Sequence, residues 1–76
     1  MDKVTCLAFL LYNSSKNQYI REKAIQLLNG EVSVRELKKF HSIQTSLVLA
    51  ETLLKKNKID KHQVQLFAEE FMAIEV

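Results

Sequence analysis

The sequence predicts an all-α protein, a compact bundle of about five short helices. Three observations lead there. Proline is absent and glycine occurs once, at Gly30, whereas sheets need many turns and turns draw on those residues. Apolar residues recur at spacings of three and four along most of the chain, the period of a helix with one buried face. Polar groups suited to helix ends (Asn13 to Ser15, Asn29-Gly30, Ser33 to Glu36, Asp60) separate the apolar stretches.

The first helix is predicted from about Asp2 to Tyr12, with Val4, Cys6, Leu7, Leu10 and Leu11 turned inward. Asn13-Ser14-Ser15 ends it and offers an N-cap to the second, about Lys16 to Leu28, whose inward stripe is Ile20, Ala24, Leu27 and Leu28. Asn29-Gly30 closes that helix, because glycine readily takes the left-handed conformation found at helix ends. Ser33 and Glu36 have the spacing of a capping box and open a short third helix, about Val34 to His41, with Val34, Leu37 and Phe40 as core. Ser42-Ile43-Gln44 reads as a tight turn. The fourth helix follows from about Gln44 to Lys56, with Leu47, Ala50 and Leu54 on one stripe and Val48 and Leu53 beside it. Lys55 and Lys56 suit the negative end of its dipole. Asp60 and Gln63 cap a fifth helix, about Lys61 to Ile74, carrying Val64, Phe67, Ala68, Phe71 and Ile74.

Seventy-six residues make one domain, 1–76, close to the smallest that a single core supports, burying about 60% of its unfolded surface. Apolar residues at 47% with 26% charged describe a globular chain rather than a disordered one. The net charge of +2 permits a nucleic-acid partner without demanding one. Cys6 has no second cysteine for a disulfide or a structural zinc site, which fits a reducing cytoplasmic location. Val4 to Tyr12 is apolar, yet it is less than half the roughly twenty residues that span a bilayer, so no membrane association is expected. Asp2 before it, with no small-residue cleavage site after it, argues against a secretory signal. Without one, Asn13-Ser14-Ser15 serves as a helix end and not as a glycosylation acceptor.

Catalytic signatures are missing. There is no phosphate-binding glycine loop, no paired carboxylates and no nucleophile triad, and a chain this short has little room for a preorganised pocket. The expectation is therefore a binding protein, not an enzyme, with no cofactor. His41 and His62 lack metal-ligand spacing, Cys6 reads as a small buried hydrophobe, and Glu69, Glu70 and Glu75 as an acidic solvated face. Lys55, Lys56, Lys58 and Lys61 form a basic cluster, open to reading as phosphate contacts or as a solubilising loop. Phe67, Phe71, Met72 and Ile74 are open to reading as core or as a homodimer interface.

One stretch resembles a known family. Arg21 to Leu37 is an apolar helix ending in Leu-Leu, then Gly30, then Ser33-Val34-Arg35-Glu36-Leu37. It is similar to the opening of three-helical helix-turn-helix domains, such as transposase and resolvase ends and small bacterial or phage repressors. Lys38 to Val48 would then supply the two crossed helices, and the resemblance covers about residues 20–56. It implies that Leu37, Ile43 and Val48 pin two helices across a three-residue turn, so that the second projects into a major groove. It also implies that Gln44, Thr45 and Ser46 face base edges, while Arg35, Lys38, Lys39 and Lys55 neutralise phosphates. The chain departs from the family where Lys38 replaces a small residue, where Ser42 replaces a turn glycine, and in lacking arginine on the projecting helix. The partner implied is double-stranded DNA. The competing reading is a small phage- or mobile-element-type adaptor or inhibitor that binds a host protein. Leu47-Val48-Leu49-Ala50 is apolar for a groove reader, and Leu49 and Leu53, with Phe67 and Phe71, would supply the anchors.

Overall fold

Helix α1 (Lys3–Asn13) is the element around which the others assemble, packing against α2 (Gln18–Leu28), α4 (His41–Lys55) and α5 (Lys61–Phe71), while the single turn α3 (Val34–Leu37) leans on α4. The structure is a computed structural model that describes residues 3–56 and 59–71. Asp2, Lys58, Met72, Ile74 and Glu75, all given places above, lie outside those residues. No strand occurs among the described residues, and the all-α class holds.

The core joins residues from all five helices: Leu7, Leu10 and Leu11 of α1, Ile20, Ala24 and Leu27 of α2, Leu37 of α3, Ile43, Leu47 and Ala50 of α4, and Phe67 and Ala68 of α5. The stripe of α2 is buried as its spacing predicts. In α1, Leu7, Leu10 and Leu11 are buried and Cys6 is half-buried, but Val4 is 43% exposed, at the edge of a surface hollow between α1, α3 and α4.

Local chemistry explains most helix ends. Asn29 closes α2 and Gly30 takes φ of 77°, the left-handed conformation that glycine adopts at no steric cost. Ser33 Oγ accepts from the Glu36 backbone N–H at 3.1 Å and donates to the Glu36 carboxylate at 3.4 Å, so the α3 cap sits where the sequence predicts. Asp60 Oδ1 accepts from the backbone N–H of His62 at 2.9 Å and of Gln63 at 3.4 Å, capping α5. The start of α2 differs from expectation. Asn17, not the Asn13 to Ser15 cluster, is its N-cap, accepting from the Tyr19 backbone N–H at 2.8 Å. Ser14 and Ser15 serve the link instead: Ser14 Oγ donates to the Leu11 carbonyl and Ser15 Oγ accepts from the Asn17 N–H.

The larger correction concerns α3 and α4. The expected turn at Ser42-Ile43-Gln44 is helix, and the chain reverses instead across Lys38 to Phe40. Phe40 stands as an extended N-cap with no side-chain bond. Burial explains the shift. Extending α4 back to His41 puts Ile43 on the same stripe as Leu47 and Ala50, at positions i, i+4 and i+7, and all three are buried. A turn there would have removed Ile43 from that stripe. The cost falls on α3, which keeps one turn and buries only Leu37; Val34 is half-buried and Phe40 is 38% exposed.

Candidate functional site

Helix α4 sits on α1 by one stripe, so most of its surface faces outward. Consecutive residues on a helix are turned by about 100°, which separates Gln44, Thr45 and Ser46 instead of grouping them. Thr45 is exposed on the side away from the core, along with His41, Ser42, Leu49 and Thr52. Gln44 is also exposed but lies toward α3, where its amide donates to the Lys38 carbonyl at 3.0 Å. Ser46 is half-buried on the opposite flank. The three residues therefore do not form one face.

Val48 does not pin α4. It is 61% exposed, and the role expected of it is filled by Leu47, which with Leu37 and Ile43 is almost fully buried. The predicted apolar anchors divide in the same way. Leu49 is 48% exposed, whereas Leu53 is half-buried against the core. Phe67 is only 5% exposed, and with Phe71 it closes a ring cluster onto Phe9 and Tyr12 of α1, at centroid distances of 5.1–5.7 Å. Phe67 serves this chain's own core, and the expectation that it anchors a partner or a second copy does not fit that placement. Phe71 packs on the same rings but is only half-buried.

Basic side chains gather around the turn before α4. Lys38 and Lys39 are exposed within it and Arg35 is exposed on α3. Lys23 of α2 reaches the same place, its ammonium lying 5.3 Å from the Phe40 ring centroid and 5.5 Å from that of Tyr19, and donating to the Gln26 side-chain carbonyl oxygen at 3.2 Å. Cation–π contact thus covers the Phe40 ring and holds one charge beside the turn. Lys55 lies at the far end of α4, away from this group.

Lys23, His41 and Ser42 were missed by sequence reasoning. The Tyr19–Lys23 spacing of one helical turn was a usable signal for the first. The other two were hidden by starting α4 at Gln44 instead of His41. Among the described residues no helix is long and apolar enough to cross a membrane, and no three side chains are grouped to hold a metal ion. No family model, curated protein or solved structure matches the chain.

Proposed function

We propose that the chain is a small DNA-binding regulator of the helix-turn-helix type, with α4 as the reading helix. One observation carries the reading: the outward face of the first two turns of α4 is polar and exposed (His41, Ser42, Thr45), and it adjoins the exposed Lys38 and Lys39. Lysines beside a helix that fits a major groove can neutralise phosphates and set its register. Hydroxyls of Ser42 and Thr45 can serve several bases, and the methyl of Thr45 and the side chain of Leu49 suit a thymine methyl. Gln44 borders this face. Its bond to the Lys38 carbonyl uses one amide N–H, leaving the other and its carbonyl oxygen for an adenine edge. Binding is an equilibrium, with Arg35, Lys38, Lys39 and, from the far end, Lys55 holding the backbone.

A second reading has its own observation. Val48 and Leu49 are 61% and 48% exposed on adjoining flanks in the middle of α4, which suits an adaptor or inhibitor that captures a protein through an apolar ridge running across the helix.

Titration against duplex DNA at two salt concentrations separates the readings. If α4 reads DNA, Lys38→Ala with Lys39→Ala weakens binding to every sequence and lowers the salt slope by about 2, one for each phosphate no longer neutralised. Gln44→Ala relaxes preference at one base position, by about 1–3 kcal/mol where its contact is bidentate. Absence of wild-type binding at low salt ends the DNA reading and leaves the apolar ridge as the working surface.

A further inference from the structure

A groove runs along the side of α4 that faces α3 and the start of α1. At one end it is lined by Lys38, Gln44, Leu47, Val48 and Glu51. On the far side of Glu51 a second hollow of about 360 Å³ is lined by Lys3, Val4, Leu7, Val34, Leu54 and Lys55. Glu51 borders both hollows, and Gln44, Val48, Glu51 and Lys55 fall at i, i+4, i+7 and i+11, so one flank of α4 runs past the two. The walls are apolar, and Val4 and Val48 are among the most exposed large apolar residues of the chain. From Gln44 to Lys55 α4 rises about 16 Å, three turns of helix.

The charges along this groove are ordered. Lys38 marks one end, where the Gln44 amide is bonded to its carbonyl. Glu51 stands seven residues beyond Gln44, and Lys55 eleven beyond, where Lys3 joins it from α1. The sequence along the groove is therefore plus, minus, plus. A helix laid beside α4 presents one face at i, i+7 and i+11, since seven and eleven residues are each within about 20° of whole turns.

The geometry points to this groove as a docking site for an amphipathic helix of a protein partner, with apolar anchors for Val4, Val48 and Leu54 and charges ordered minus, plus, minus. Charge order, more than apolar area, selects the occupant. A partner with the opposite order places like charges against Lys38, Glu51 and Lys55 and is rejected. The site does not depend on the outward face of α4 reading DNA, although Lys38 and Gln44 border both, and Val48 is shared with the second reading's apolar ridge.

Two labelled helical peptides test this. They carry identical apolar anchors, one with Glu, Lys and Glu at i, i+7 and i+11, the other with Lys, Glu and Lys. By fluorescence polarisation against the full chain without DNA, the first binds at least about tenfold more tightly, and the preference shrinks as salt rises. The variant combining Lys38→Glu, Glu51→Lys and Lys55→Glu reverses the preference. Val48→Asp abolishes binding of both peptides while leaving the melting curve in place, since Val48 is 61% exposed. Equal binding of the two peptides, or binding of neither, overturns the proposal. So does a concentration-dependent dimer that Val48→Asp dissociates, which assigns the groove to a second copy.

Discussion

Helices α1 and α4 are both rich in apolar residues, but they use them differently. Eleven-residue α1 buries Thr5, Leu7, Ala8, Leu10 and Leu11, whereas fifteen-residue α4 buries only Ile43, Leu47 and Ala50. Three helices surround α1, so little of its middle meets water. Helix α4 lies on the outside and leaves Val48 and Leu49 exposed beside His41, Ser42 and Thr45. Single exposed apolar residues are ordinary, so the contrast lies in how much of each helix is covered. It places α1 at the centre of the fold and is the ground for the proposal that α4 presents a surface.

The strongest way to break this division is to truncate what α1 holds. Phe67→Ala removes the ring that packs on Phe9 and Tyr12, and should cost about 3–5 kcal/mol. Leu11→Ala, at a position with no exposure, should cost about 2–5 kcal/mol. On a domain of marginal stability either loss leaves much of the chain unfolded at room temperature. Urea titration followed by circular dichroism measures both. A loss below about 1 kcal/mol for either would mean that α1 is not the hub, since even a minor buried truncation reaches that size.

The same division explains what was legible in the sequence. The stripe of α2, the glycine at 30 and the caps at Ser33 and Asp60 were readable because each rests on chemistry within a few residues. The α3–α4 boundary was not. Val34 to Phe40 has helical apolar spacing, and no proline or glycine follows Gly30 to mark a break. Only the fit of Ile43 with Leu47 and Ala50 against α1, a tertiary demand, decides that α4 takes residues 41–43. Of the site, Lys38, Lys39 and Thr45 are legible in the sequence. The separation of Gln44 and Ser46 from Thr45 depends on the register of α4, which the burial of Ile43, Leu47 and Ala50 sets, and Lys23 approaches from another helix.

A smaller effect sharpens the comparison at the α3 cap. Ser33 Oγ accepts the Glu36 N–H at 3.1 Å, and Ser33→Ala should cost about 1 kcal/mol. Because α3 is a single turn, that loss also loosens Leu37 against α4. Amide exchange should therefore quicken from Val34 to Phe40 while the middle of α1 stays protected. Uniform quickening along the chain would mean that α3 is not a separately weak element.

The smallest effect is expected on α4 itself. Leu49→Ala truncates a side chain that is 48% exposed, and such surface changes usually stay within about 0.5 kcal/mol. Leu11→Ala and Leu49→Ala remove the same atoms, so any difference between them reflects environment alone. Near-neutral stability for Leu49→Ala leaves that side chain available for a partner, whether a thymine methyl or a protein surface. A cost near that of Leu11→Ala would mean that Leu49 is buried in solution, and repeating the melt over a range of protein concentrations would show by what. A melting temperature that rises with concentration for the wild type, and not for Leu49→Ala, would identify a second copy of the chain. Equal costs with no concentration dependence would remove the distinction between the two helices, and with it the argument that α4 is the presenting surface.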